Sequence, residues 1–263
     1  MRHAIATLVI VVTLAACATT TSSTGRRQYV GAVSQDQLNQ LGAQAFTEAR
    51  QKGPLSKDQR QNAYVRCVVD ALVRQLPDGQ RAIAWESAVF AQDEPNAYAL
   101  PGGKVGINTG LFSVARGQDQ LAAVVAHEIG HVIERHHDER ITRQMGAAGA
   151  VQLLGALAGD YGQLASQGGS MLAQTGFLLP GSRAQESEAD VVGQRLMAKA
   201  GFDPRAAVAL WQNMIAAGGS RPPQWLSTHP DPSSRISELQ ARAEKLVPTW
   251  QQARAAGRRP ACG

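Results

Sequence analysis

The sequence is poor in aromatic residues, which make up 5% of its 263 residues, and it has no dense cluster of charge of one sign. Its formal net charge is +5, but lysine and arginine are scattered, without the aromatic interleaving or the motifs of nucleic-acid-binding proteins. We therefore expect no nucleic-acid partner, and a solvated surface with at most a loose attraction to anionic lipid headgroups. The hydrophobic share of 44% is ordinary for a globular protein with one core.

The sequence also lacks a convincing membrane-spanning helix, which would need about 20 consecutive apolar residues. The apolar run at 4–16 is too short, and it follows the basic Arg2. This is the pattern of a secretory signal, so residues 1–16 are predicted to be a signal peptide. A second apolar stretch, at 145–179, is interrupted at Asp160. We expect a packed helix on either side of the interruption; a flap that rests on a membrane or gates substrate entry is the alternative.

Cysteine occurs only three times. The segment LAAC at 14–17 resembles a bacterial lipobox, in which cleavage precedes a cysteine that becomes lipid-modified. Cys17 would then be the mature N-terminus, residues 17–27 a flexible tether, and the membrane a partner through the lipid anchor. Ala18, in place of an acidic residue, favours the outer membrane. We therefore expect an outer-membrane lipoprotein of the bacterial cell envelope that faces the periplasm.

The two remaining cysteines, Cys67 and Cys262, are far apart in the sequence. In an oxidising compartment such a pair is predicted to form a disulfide, which would join the C-terminal tail at 251–263 to a helix near the N-terminus. Two free thiols are the alternative, since sequence spacing does not show whether the Cα atoms are close enough to be bridged.

The feature that predicts chemistry is the segment HEIGH at 127–131. Because residues four apart lie on one face of a helix, His127 and His131 can direct both imidazoles at one metal ion, with Glu128 beside it. Three protein ligands would leave the fourth tetrahedral position of Zn²⁺ open for water, as in hydrolytic zinc sites. Glu128 would accept a proton from that water and later pass it to the leaving amine.

The third ligand has three candidates. In a continuous helix, His136 and His137 would point roughly 180° and 280° away from the first histidine of the motif. A bend after the motif could return His137 to the metal, but Glu134 stands at the bend position, where such proteins have glycine. Glu186 is favoured instead, because it begins a second apolar-periodic helix. Asp190 shares its face and could fix the tautomer of a metal-bound histidine.

Five segments follow one another in a distinctive order. They are NAYALPGG at 96–103, VGINTGL at 105–111, HEIGH at 127–131, ESEAD at 186–190, and THP at 228–230 with Arg235. Together they resemble the forty-eighth family of metallopeptidases, the group of the CAAX prenyl proteases, HtpX and the Oma-type proteases. The resemblance implies a zinc endopeptidase of the gluzincin type. Its fold would be α+β and mostly helical, with an active-site helix, a small β-sheet and a second helix that carries a ligand.

The resemblance also implies roles for single residues. The implied ligands of one Zn²⁺ per chain are His127, His131 and Glu186, with Glu128 as the general base and Asp190 as a partner outside the ligands. His229, in the THP segment, is expected to approach the zinc, either to stabilise the oxyanion of the transition state or to bind the metal in a resting form. Arg235 could position that loop or pair with a carboxylate.

Three extended runs are predicted at 85–91, 96–100 and 104–108. In zinc peptidases of this plan, an edge strand beside the active-site helix holds the substrate in extended form through backbone pairing. The third run is predicted to be that strand, through Val105, Gly106, Ile107 and Asn108. An internal strand of the sheet is the alternative.

Residues 28–250 are predicted to form one zinc metallopeptidase domain, with helices at 34–50, 57–76, 118–137, 183–200, 204–217 and from 233 or 234 to 246. From the resemblance and the signal, its expected partners are unfolded or misassembled envelope proteins, which it would hydrolyse in protein quality control. The alternative is a periplasmic chaperone or assembly lipoprotein that binds unfolded chains in the same groove.

Overall fold

The computed structural model describes residues 18–157, 181–218, 224–229 and 232–263. The predicted signal peptide, the lipidation of Cys17 and the second of the two apolar helices lie outside these residues. No helix among the described residues is both long enough and apolar enough to cross a membrane.

Helices form most of the described chain, and a three-stranded sheet lies among them. In chain order the helices are α1 (Gln35–Lys52), α2 (Gln59–Val73), α3 (Asp78–Arg81), α4 (Gln118–Ile133), α5 (His136–Leu157), α6 (Arg183–Ala200), α7 (Ala206–Gly218), α8 (Gln224–Thr228) and α9 (Pro232–Ala255). The strands are β1 (Ala18–Thr21), β2 (Arg27–Val30), β3 (Glu86–Phe90), β4 (Ala97–Leu100) and β5 (Lys104–Asn108). This is the α+β, mostly helical architecture that the sequence predicts.

The sheet has the strand order β3-β5-β4, with β5 parallel to β3 and antiparallel to β4. β4 and β5 form a hairpin, and its turn contains Gly102 and Gly103, which both have positive φ angles of 78° and 74°. Residues other than glycine rarely adopt this backbone conformation, so the glycine pair fixes the position of the turn. The turn joins the second and third predicted extended runs, which are both strands in the structure.

β5 is the central strand of the sheet, so the prediction that it holds substrate is wrong. Val105, Gly106 and Ile107 each pair with one residue of β3 and one of β4. Asn108 pairs with β3 and donates its backbone N–H to the carbonyl of Asn96. Because both sides of this strand are already paired, a peptide cannot add to it. The alternative, an internal strand, is confirmed, and β3 and β4 form the two edges.

α4 lies at the centre of the core, where every residue from Leu121 to His131 is buried. α6 packs along it at close range, and glycines make the approach possible. A Cβ at Gly130 of α4 would lie 3.0 Å from the carbonyl oxygen of Ala189, and one at Gly193 of α6 would lie 3.0 Å from the backbone nitrogen of His127. This close contact brings the HEIGH segment and the start of α6 to the same place.

α4 ends at Ile133, so the prediction of one continuous helix over 118–137 is wrong. The chain turns at Glu134 and Arg135, and the φ of Arg135 is 56°, in the left-handed region. A new helix, α5, then starts at His136. The left-handed conformation costs a residue other than glycine roughly 1 kcal/mol or more. Turns of this kind are therefore expected at glycine, and an arginine at this position gives no local sign of one.

The second central helix, α6, has clear boundaries. Ser182 and Gln185 form a capping box at its start, and Gly201, with a φ of 91°, ends it. The last helix, α9, continues past Pro248 to Ala255, beyond the predicted end at 246 and into the predicted tail.

Residues 18–30 form an antiparallel hairpin of β1 and β2, where the sequence predicts a flexible tether over 17–27. The hairpin packs against α5, with Gln28 and Val30 only 2% and 1% exposed. Its turn forms hydrogen bonds to buried carboxylates from distant helices, described below. The segment is ordered by these long-range contacts. Its composition does not reveal them and therefore suggests a flexible tether.

The predicted disulfide joins Cys67 of α2 to Cys262, with Cα atoms 5.5 Å apart. The tail also contacts the first residue of α4. The Gln118 side chain donates to the carbonyl of Pro260 and accepts from the backbone N–H of Cys262, both at 2.9 Å. The bridge therefore holds the C-terminus against the N-terminal end of the central helix.

Candidate metal centre

Four buried side chains converge between α4, α6 and the end of α8. His127 and His131 come from α4, Glu186 from the first turn of α6, and His229 directly follows α8. One potential ligand atom from each lies within 4.8 Å of the others. The structure thus brings together all three predicted ligands and the histidine predicted to approach them.

The distances within this cluster fit a shared cation. The Nε2 atoms of His127 and His131 are 3.1 Å apart. Glu186 places Oε2 3.3 Å from Nε2 of His127 and Oε1 3.5 Å from Nε2 of His131. Its Oε1 is buried without a hydrogen-bond partner, which a bound cation would supply. Two imidazoles and a carboxylate are the donor set of catalytic zinc sites, so the cluster could hold a metal ion.

On the outer side of His127, Asp190 lies where the sequence analysis predicts. Its Oδ1 is 3.0 Å from Nδ1 of His127. Arg235, from α9, donates to both oxygens of Asp190 at 2.6 and 2.7 Å and to Oε2 of Glu186 at 3.0 Å. The guanidinium also lies 4.0 Å from the ring centre of Trp211. One buried arginine therefore fixes both carboxylates, as the expected pairing of Arg235 with a carboxylate implies.

These contacts also set the ionisation of the metal-free site. Burial lowers the pKa of His127, but hydrogen bonds to Asp190 and Glu186 outweigh it and raise the pKa to about 9. Burial raises the pKa of Asp190, but the charge of Arg235 and the bond to His127 hold it well below its usual range. Asp190 is therefore an ionised acceptor for Nδ1–H, and an arriving metal ion must displace a proton from His127.

His131 has a different outer partner, which the sequence analysis missed. Nδ1 of His136 lies 2.8 Å from Nδ1 of His131, and Nε2 of His136 lies 3.1 Å from Oε2 of Glu188. Burial lowers the pKa of His136 against the opposing effect of Glu188, so this ring is neutral at neutral pH. The turn at Arg135 brings His136 back towards the cluster, where a continuous helix would have directed it away. The bend weighed from the sequence would return His137, whereas the observed turn returns His136.

Glu128, the predicted general base, is 4% exposed and lies beside the cluster. The indole N–H of Trp225 donates to its Oε1 at 2.9 Å, and Nε2 of His229 lies 3.4 Å from the same oxygen. Trp225 is not among the site residues predicted from the sequence. Its position, four residues before His229, is the one available signal, because residues at that spacing share a face of a short helix.

His229 directs a ligand atom into the cluster. Its Nδ1 lies 2.9 Å from the backbone carbonyl of Trp225, so Nδ1 carries the proton and Nε2 keeps a lone pair. The ring stacks on Trp225 with centroids 4.8 Å apart. Burial lowers the pKa of His229 despite the nearby charges of Glu186 and Glu128, which favours the neutral, ligating form.

Known proteins are similar to this chain over the segment that carries the cluster. The family model described as "Peptidase family M48" matches residues 59–243. The mitochondrial metalloendopeptidase OMA1 of Schizosaccharomyces pombe is 40% identical over 179 residues, which are 67% of this chain and 51% of the relative. The beta-barrel assembly-enhancing protease of Escherichia coli is 31% identical over 218 residues, 80% of this chain and 44% of the relative.

A mammalian relative is similar to the same degree. The mitochondrial metalloendopeptidase OMA1 of Bos taurus is 31% identical over 229 residues, 80% of this chain and 42% of the relative. This chain therefore spans about half the length of the curated relatives that it matches. The matched segment contains α4, α6 and every residue of the metal cluster. From this match over more than half of its length, the chain belongs to peptidase family M48.

Proposed function

We propose that this chain is a zinc-dependent endopeptidase that cleaves unfolded or misassembled proteins of the bacterial cell envelope. One observation carries the proposal: His127, His131 and Glu186 direct their ligand atoms at one point, and the Glu128 carboxylate lies beside it. When bound there, a zinc ion supplies a Lewis acid that polarises the peptide carbonyl and acidifies water.

Within this proposal, each protein group has a limited task. Glu128 accepts a proton during attack on the peptide carbonyl and delivers it to the departing amine. Asp190 and Arg235 hold His127 in one orientation and tautomer, so that Nε2 faces the cluster. The buried surroundings exclude bulk water and so strengthen these electrostatic contacts.

The edge strand β4 is the better candidate for substrate pairing, because it packs against α4 and no strand of the described chain pairs with its outer side. The bond from Asn108 to the Asn96 carbonyl sets the alternation of the ladder. In that alternation the backbone N–H and C=O of Ala99 point outward. Pairing through backbone groups needs an extended substrate of almost any sequence, which favours unfolded chains.

A proline at position 99 tests this assignment. Proline is tolerated where a strand's N–H faces away from the sheet, so Ala99→Pro removes one outward donor. Because Ala99 is only 1% exposed, circular dichroism must first show that the substituted protein is folded. We expect kcat/KM for an unfolded substrate to fall about fivefold, the equivalent of one hydrogen bond of about 1 kcal/mol. A matched Ser87→Pro substitution on the other edge, β3, should have no effect. Equal losses from both would reject β4 as the substrate strand.

We further propose that His229 closes the site in a resting form. Together with the three ligands it would give four protein donors, which fill a tetrahedral zinc site. Trp225 and His229 also cover the oxygen of Glu128 that must accept a proton. His229→Ala is expected to raise the cleavage rate at unchanged zinc content. A loss of cleavage would instead assign His229 to stabilising the oxyanion.

Several features support a location in the cell envelope. The predicted signal and the lipobox-like segment ending at Cys17 indicate export and a lipid anchor at the outer membrane. The bridge between Cys67 and Cys262 is typical of an oxidising compartment such as the periplasm. The bacterial relative is named for an effect on β-barrel assembly, which favours misassembled envelope proteins as substrates.

The proposal is tested by incubating the purified chain without residues 1–17 with a fluorescently labelled unfolded protein. The chain is assayed as purified, after chelation and after zinc is restored. We expect cleavage that chelator abolishes and zinc restores, and no cleavage of the same protein when folded. Zinc binding without cleavage of any unfolded substrate, in wild type and His229→Ala alike, would contradict the endopeptidase and favour the chaperone.

A further inference from the structure

We propose that the N-terminal hairpin of β1 and β2, residues 18–30, is a working part of the metal centre and positions His131 from outside. The hairpin lies outside the segment that matches the family, 59–243. Its turn nevertheless reaches the outer partners of the metal ligands. The inference rests on the proposed metal site and adds positioning residues to it.

The first step is the direction of the hydrogen bonds around His131. Its Nε2 faces the other ligand atoms, so metal binding leaves the proton on Nδ1. That N–H can only donate to Nδ1 of His136, 2.8 Å away. His136 must therefore accept at Nδ1 and carry its own proton on Nε2, which donates to Glu188 at 3.1 Å. The tautomers of both rings are thus set by one carboxylate.

The second step is the fixation of Glu188, which comes from the turn of the hairpin. Arg26 donates from Nε to Oε2 of Glu188 at 2.7 Å. Thr24 donates to Oε1 at 2.5 Å, and the hydroxyl of Ser22 donates to the same oxygen. These bonds engage both carboxylate oxygens, so the hairpin holds Glu188 in place.

The third step is the turn that brings His136 to the site. The backbone N–H and hydroxyl of Ser23 donate to Glu134 at 2.9 and 2.6 Å. The Gln28 side chain donates to the backbone carbonyl of Glu134 at 2.7 Å. Arg26 also forms two parallel bonds to Glu139 of α5, at 2.8 and 2.7 Å. The hairpin thus forms hydrogen bonds on both sides of the turn between α4 and α5.

Two consequences follow from these contacts. Loss of the hairpin contacts should release Glu188 and His136, and so weaken the hold on His131. Because coupling between two binding events is reciprocal, metal binding must tighten hairpin docking by the same factor. Groups outside the ligands of a metal are typically worth about 10–100-fold in metal affinity. Arg26 acts on His131 through Glu188 and His136, so we expect its removal to lower metal affinity about tenfold.

The test compares Arg26→Ala with Arg27→Ala in the otherwise intact protein. Arg27 is the exposed neighbour in the same hairpin and makes no side-chain contact to the site among the described residues. The zinc dissociation constant is measured by competition with a chromophoric chelator, and hydrogen exchange of the amides at 20–30 is measured with and without zinc. We expect Arg26→Ala to weaken zinc binding about tenfold and lower kcat at unchanged KM. Arg27→Ala should match wild type, and zinc should slow hairpin exchange in wild type about tenfold.

A milder variant covers the case in which Arg26→Ala does not fold. Thr24→Val removes one donor to Glu188 and leaves the pair of Arg26 and Glu139 intact, and we expect it to weaken zinc binding severalfold. Wild-type zinc affinity in the substituted proteins, or hairpin exchange that zinc does not change, would overturn the inference and leave the proposed function standing. A wild-type protein that binds no zinc would overturn both.

Discussion

The two histidines of α4 that are candidate metal ligands reach ionised carboxylates by paths of different length. His127 contacts Asp190 directly, at 3.0 Å, and Arg235 holds that carboxylate from behind. His131 reaches Glu188 only through His136, and the arginine behind that carboxylate is Arg26 of the hairpin. The short path lies within helices of the family segment, whereas the long path extends to the N-terminal hairpin. The candidate metal centre is therefore surrounded by contacts from both ends of the described chain.

The two arginines also differ in their environment. The side chain of Arg235 is 4% exposed, between two buried carboxylates and the ring of Trp211. The side chain of Arg26 is 22% exposed. Water can partly replace the second arginine but not the first. We therefore expect the short path to have the larger effect on both stability and metal affinity, and the long path a smaller effect on each.

Removing Arg235 should have the largest effect on stability. Arg235→Met keeps much of the volume but removes one of the positive charges beside the buried Glu186 and Asp190, protonated His127 being another, which costs about 3–5 kcal/mol. Arg26→Met should cost clearly less, because Glu139 keeps its bonds from Arg143 and Gln185, and Glu188 keeps those from His136, Ser22 and Thr24. Urea unfolding of the zinc-free proteins measures both. Equal losses of unfolding free energy would contradict the distinction between the two sides.

The disulfide provides a control, because it belongs to neither the short path nor the long path. Cys67→Ser with Cys262→Ser opens a loop with a sequence separation of 195 and frees the tail from Gln118. We expect a loss of about 2–4 kcal/mol in unfolding free energy, with the zinc dissociation constant unchanged. The measurements are urea unfolding and chelator competition. A large fall in zinc affinity would mean that general loosening, rather than the two paths, controls the metal.

Replacing each carboxylate by its amide compares the paths directly. Asp190→Asn removes the charge that touches His127, and we expect zinc affinity to fall about 10–100-fold. Glu188→Gln removes a charge that is separated from His131 by His136, so the loss of zinc affinity should be smaller. Chelator competition measures both constants under the same conditions. A greater loss from Glu188→Gln would reverse the order of importance of the two sides.

The pH dependence of stability should show whether both carboxylates are ionised. Burial raises the pKa of both, but other contacts outweigh it, chiefly Arg235 for Asp190 and His136 for Glu188, so both folded values lie below their usual range. Such a group stabilises the fold above its unfolded pKa, about 3.9 or 4.3, and this contribution is lost as pH falls towards the folded value. Zinc-free wild type should therefore lose stability between about pH 5 and pH 3.

The two amide variants are the controls for this profile. Asp190→Asn and Glu188→Gln should each show a shallower decline in unfolding free energy over the same pH interval, measured by urea unfolding. A profile parallel to that of wild type would show that the substituted carboxylate does not contribute ionised in the native state.

The short path could be predicted from the sequence because its parts follow ideal helix geometry. His127 and His131 are four residues apart on α4, and Glu186 and Asp190 are four apart on α6. The start of α6 is also marked in the sequence, by the capping box of Ser182. Local rules of this kind place side chains on a face without knowledge of the tertiary structure.

The long path could not be predicted because it depends on departures from those rules. His136 faces the site only because Arg135 adopts a left-handed conformation. No glycine or proline marks this turn in the sequence. The hairpin has the composition of a linker, and its order comes from Arg26 and its neighbours binding carboxylates more than 100 residues away in the sequence. The central position of β5 likewise depends on strand pairing, which the alternation of side chains leaves undetermined.

The most direct test measures zinc content and cleavage on the same samples of wild type, Glu128→Gln and Glu186→Ala. We predict about one zinc per chain in wild type and Glu128→Gln after dialysis, and substantially less in Glu186→Ala. Cleavage of an unfolded protein should be fast only in wild type, and at least about 100-fold slower in Glu128→Gln. Cleavage by zinc-loaded Glu128→Gln at the wild-type rate, or full zinc retention by Glu186→Ala, would contradict the account.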